Sequence, residues 1–70
     1  MSEESNVQEA VQAIKKDSAA EIDAEPSAAT GKCVVSMKHY SDCVDGITKS
    51  SCDAKRGYGI TTKWTKDGKC

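Results

Sequence analysis

Four cysteines, Cys33, Cys43, Cys52 and Cys70, fall within the last 38 residues of a chain of 70. No other feature limits the fold as strongly. A chain this short rarely buries enough apolar surface to hold itself together, and staples or a ligand are needed. This one has no Phe, one Trp and two Tyr, and much of its hydrophobic fraction is Ala, which buries little area. The cysteines are separated by 9, 8 and 17 residues. An even count in so small a chain reads as two disulfides, each closing a loop worth on the order of 3 kcal/mol. Three pairings are possible, and the spacing does not choose among them.

Two other uses of the cysteines compete. Cys33, Cys43, Cys52, Cys70 and His39 could supply a zinc site. Structural zinc modules present ligands in close pairs, which fix two tetrahedral corners at once, and no such pair exists here. His39, between Lys38 and Tyr40, reads as an exposed strand histidine, so no metal is expected. Alternatively, Thr48, Ser50 and Ser51 near Cys52 could be dehydrated and captured by thiols in an enzyme-modified peptide. Ser and Thr beside cysteines are also ordinary turn and cap residues, and that reading is preferred.

Charge divides the chain. Residues 1–31 carry seven acids and two bases, a net of −5, and residues 32–70 carry eight bases and four acids, a net of +4. All four cysteines lie in the basic half. The expected organisation is an acidic, flexible tail or leader over 1–31 and a basic four-cysteine module over 32–70. In the tail, Val7, Ala10, Val11 and Ile14 share one helical face, so a helix is expected over 6–16, with Ser5 as its cap. Residues 17–31, acidic and interrupted by Pro26, read as a linker.

In the module, CVVSM (33–37) reads as a strand, and Asp45-Gly46 as a turn. Thr48 or Ser50 can cap a short helix stopped by Gly57. From Tyr58 to Thr65 the sequence alternates, with Tyr58, Ile60, Thr62 and Trp64 on one face. Asp67-Gly68 is a second turn. The fold class expected is a small disulfide-rich α+β module, short strands plus one short helix, with a flexible, partly helical N-terminal tail.

The sequence offers little for catalysis: one His, no phosphate loop, no cofactor motif. An enzyme is not expected, nor a cofactor. Lys38, Lys55, Arg56, Tyr58, Lys63, Trp64 and Lys66 are candidates for a basic, aromatic-bearing contact face, with Trp64 weighted toward the core. The partner expected is a protein or an anionic membrane surface. Nucleic acid is disfavoured because the net charge is modest and the acidic tail competes. The chain is expected to act as a monomer.

The run DCVDGITKSSCDAKRGYGITTKWTKDGKC (42–70) resembles a cysteine-rich repeat of secreted bacterial proteins. Cys43, Thr48, Cys52, Gly57, Trp64 and Cys70 follow in that family's order. The chain departs from it in lacking adjacent cysteines near Cys33 and in a longer stretch between Gly57 and Trp64. The resemblance implies an extracytoplasmic disulfide module and no activity. The whole layout is also similar to acidic-leader, basic-core precursors of toxins, bacteriocins and effectors. The reading is therefore a secreted or exported, non-catalytic, disulfide-stapled binding protein. The N-terminus MSEESNVQEAVQ lacks the basic, apolar start of a secretory signal. Export then requires that Met1 be an expression start or that 1–31 be a leader that is removed. Two alternatives remain: an intracellular precursor whose residues 5–16 recruit a modifying enzyme, and a zinc-held adaptor.

Overall fold

The computed structural model describes residues 3–57 and 59–70. It has two layers, helices on one face of a three-stranded antiparallel sheet. The elements are α1 (Glu3–Ala24), β1 (Thr30–Ser36), β2 (Ser41–Thr48), α2 (Lys49–Ala54) and β3 (Thr61–Lys66). The sheet order is β2-β1-β3. The expected class, a small disulfide-rich α+β module with a helical N-terminal segment, is the one observed.

β1 takes the centre because it alone carries a strong alternation of buried and half-buried residues. Gly31, Cys33 and Val35 face the helices, and Lys32, Val34 and Ser36 face the other way. Cys33 pairs with Val44 on β2 and Trp64 on β3, and Val35 pairs with Thr62. Residues 37–40 close the β1–β2 hairpin, with the Met37 N–H donating to the Tyr40 carbonyl at 2.7 Å. His39 sits exposed on this turn and is not a strand residue.

The stretch around Asp45-Gly46, expected as a turn, is instead a bulge inside β2. Gly31 pairs with Ile47 and Cys33 with Val44, so Lys32 alone opposes both Asp45 and Gly46. Gly46 adopts φ 70°, the left-handed conformation that glycine enters without steric cost, and the bulge absorbs the turn-forming residues without ending the strand.

α1 is longer than the helix expected over 6–16. It begins at Glu3, which places Ser5 inside it, and runs on through DSAAEIDA. Ala and Glu are strong helix formers, and Ser18 finds a partner in Thr48 and Glu21 in Ser50 and Ser51 of α2. Pro26 sets the limit, because the residue before a proline is pushed out of helical geometry. The stripe is not left in water. Val7, Ala10, Val11 and Ile14 are buried, and with Cys33, Val35, Ile47 and Cys52 they form the core. Three β-branched side chains of α1, at about 1.5–3 kcal/mol each for full burial, hold the helix to the sheet.

Thr48 caps α2 with its side-chain oxygen, accepting from the Ser51 N–H at 3.4 Å. Gly57, expected as the stop, lies beyond the helix at φ 134°, and exchanges main-chain hydrogen bonds with Ile60. Thr62 is buried and Trp64 half-buried on the inner face, as the alternation requires.

Two disulfides close the module, Cys33–Cys52 and Cys43–Cys70, each with 5.8 Å between Cα atoms. The first joins β1 to α2 through the core, and both of its residues are 0% exposed. The second holds the C-terminal segment across the other side of the sheet. After β3 the chain turns at Asp67 (φ 57°) and passes Lys32, where a Cβ on Gly68 would lie 2.9 Å from the Lys32 Cγ. It then reaches Cys43 on β2. The pairing is first with third and second with fourth, so the two loops interlock.

Candidate functional site

The outer face of the sheet is covered by no described helix. Alternation places Lys32, Val34 and Ser36 of β1 there, with Thr61, Lys63 and Thr65 of β3 and Ser41 and Cys43 of β2. Lys63 stands directly opposite Val34, and Thr65 opposite Lys32. The exposed Lys69 comes from the segment that crosses this face. The result is a polar surface bearing Lys32, Lys63 and Lys69, crossed by the C-terminal segment.

The residues expected to form one contact face are distributed over the molecule. Lys63 is on the outer face, and Trp64, its neighbour in sequence, points to the inner one, because successive strand residues alternate. Trp64 packs on the core and its Nε1–H donates to the Ile47 carbonyl at 2.8 Å. Lys66 is exposed at the end of β3, and Lys38 is exposed on the hairpin turn. Lys55 lies half-buried beyond α2, beside Met37 and Ile60 on a shallow cavity of about 390 Å³. Arg56 is exposed and its guanidinium donates to the Thr62 carbonyl at 3.4 Å. Tyr58 lies outside the described residues. Lys32 and Lys69 were missed by sequence reasoning. Pairing β1 against β3 would have found Lys32, and only the Cys43–Cys70 link brings in Lys69.

A second polar cluster ties α1 to α2. The Thr48 N–H donates to the Ser18 hydroxyl at 3.2 Å, and the Thr48 hydroxyl donates to Ser51 at 2.8 Å. The Ser51 hydroxyl donates to the Glu21 carboxylate at 3.1 Å, and Ser50 donates to both Glu21 oxygens at 2.8 Å. The neighbouring hydroxyls, that of Ser50 foremost and then those of Thr48 and Ser51, lower the pKa of Glu21 from its ordinary value. Thr48, Ser50 and Ser51 thus act as cap and latch. At the other end of α1 the His39 N–H donates to Glu3 at 2.6 Å.

The four sulfurs are committed in pairs to separate disulfides, with no free thiol. Among the described residues no group of three or more His, Cys, Asp or Glu is placed to hold a metal ion. No described helix is long and apolar enough to cross a membrane. Comparison of the chain with protein-family models, with curated proteins and with solved structures finds no match.

Proposed function

We propose that the chain is a small exported, non-catalytic binding protein, of toxin, antimicrobial or effector type, that engages an anionic membrane surface through the open face of its sheet. The observation that carries this reading is the use of the cysteines. All four are in disulfides, one of them threaded through the core, and reducing compartments keep thiols from forming such bonds. The disulfides fit an extracellular location, and they leave no thiol to pair with His39 as a nucleophile.

The outer face supports the choice of target. Lys63 and Lys69 are exposed and Lys32 half-buried on a hydroxyl-rich face, a chemistry that suits lipid headgroups. Each lysine near an anionic bilayer contributes about 1 kcal/mol. Trp64 is turned inward, so binding through this face is electrostatic, peripheral and weakened by salt.

Sedimentation of the oxidised protein with vesicles tests this. Binding to phosphatidylglycerol-containing vesicles at low salt is expected, with release at half-molar salt and none to phosphatidylcholine alone. The double variant Lys32→Glu, Lys63→Glu should abolish it. Equal binding to both vesicle types, or none to either, overturns the reading.

A further inference from the structure

The free edge of β2 is walled on both sides. β2 is the last strand on its side of the sheet, and α1 packs more closely on it than on any other strand. A cavity of about 520 Å³ runs along it between α1 residues Lys15, Ala19 and Ile22, β2 residues Val44 and Ile47, and the Cys43–Cys70 disulfide. A second cavity, of about 880 Å³, continues past Lys15 toward Gln12, Gln8 and Asp42. Lys15 lines both. Together they follow β2 from Asp42 to Ile47, about 17–20 Å of strand.

In an antiparallel edge strand, alternate residues turn their N–H and C=O away from the sheet. Here the Cys43 N–H donates to the carboxylate of its own neighbour, Asp42, at 2.8 Å. That oxygen takes the acceptor position a neighbouring strand's carbonyl would fill, and rotation of one side chain frees the donor. A second copy of this chain fits poorly: its own β2 edge carries the same two walls, and the walls would meet before the edges.

We infer that this groove receives an extended peptide segment of a partner protein as a fourth strand paired to β2, with one carboxylate of the peptide at Lys15. Main-chain hydrogen bonds to β2 supply affinity, and alternate side chains lie against Ala19, Ile22, Val44 and Ile47. The peptide should be rich in β-branched residues and carry one acid only, at Lys15, because Glu9, Asp42 and Asp45 line the same groove and repel more. This inference uses a different surface from the lysine face and stands or falls independently of it.

The test is selection of short random peptides on the full oxidised chain, followed by amide-resolved NMR with the synthetic peptide recovered. The expected result is an alternating, singly acidic sequence that shifts the amides of Cys43 and its β2 neighbours. N-methylation of alternate peptide amides should abolish binding, and Lys15→Glu should weaken it about tenfold. Lys16→Glu, on the exposed side of α1, should leave it unchanged. Three results overturn the inference: no peptide enriched over an unrelated protein, shifts that map to the outer lysine face, or β2 shifts with a doubled mass in the absence of peptide. The last would assign the edge to a second copy.

Discussion

The Nε1–H of Trp64 donates to the carbonyl of Ile47 at 2.8 Å, joining the two outer strands of the sheet across the central one. In the register Gly31 stands between Ile47 and Lys66, with no side chain to obstruct the indole. A Cβ there would also collide with the Thr65 carbonyl. Trp64→Phe keeps most of the packing and orphans the acceptor. It should cost about 1 kcal/mol, a fall of roughly 4–8 °C in Tm for a domain of this size, measured by thermal denaturation of the oxidised protein.

α1 supplies four of the eight buried hydrophobic residues, Val7, Ala10, Val11 and Ile14. A detachable tail would leave the module folded on removal; this core would not survive it. Ile14→Ala should cost about 2–5 kcal/mol. Deletion of 1–16 should abolish the cooperative unfolding transition while both disulfides persist. A truncated protein with a sharp transition at the parental temperature would show α1 to be dispensable.

Cys33 and Cys52 are 0% exposed, whereas Cys43 is half-buried and Cys70 exposed. Thiol–disulfide exchange needs access to a sulfur. Limited reduction under native conditions should therefore open Cys43–Cys70 first. Alkylation followed by peptide mass mapping would locate the label on Cys43 and Cys70 while Cys33–Cys52 remains intact.

Glu21 has a folded-state pKa below its ordinary value of 4.5, chiefly through the Ser50 hydroxyl. A lowered carboxylate pKa adds stability that is fully present above the unfolded value and is lost as pH falls through the folded one. Denaturation midpoints of the parent should drop on acidification below about 4.5 more steeply than those of Glu21→Gln. Parallel curves would show that the latch makes no pH-dependent contribution.

The Thr62 hydroxyl is buried with no hydrogen-bond partner. Thr62→Val replaces it with a methyl of similar shape and removes a desolvated polar atom. The variant should gain about 1 kcal/mol, read as a higher denaturant midpoint with an unchanged slope.

What the sequence disclosed follows the strength of its local signals. The apolar stripe of α1, the Thr48 cap and the alternation through Thr62 and Trp64 each depend on a single element's periodicity, and each was legible. β2 was not. Asp42, Asp45 and Gly46 are turn formers, and only the pairing of Asp42 with Val35 and the bulge opposite Lys32 keep them in a strand. The extension of α1 past Lys16 was hidden for a similar reason, since its partners, Thr48, Ser50 and Ser51, are some 30 residues away. The lysine face was half visible. Alternation separates Lys63 from Trp64, but Lys32 and Lys69 join Lys63 only once strand order and disulfide pairing are known.

The interlocked pairing has a consequence for a chain that meets proteases. Any single cut between Cys33 and Cys70 falls inside at least one of the two loops, and inside both between Cys43 and Cys52. Each such nick adds one water to the mass and sheds no fragment. Only cuts before Cys33 release part of the molecule, and there the exposed residues 25–27 and 29 offer the accessible backbone. A cut there would discard α1, and the part from Cys33 onward would survive any one further cut as a single covalent body.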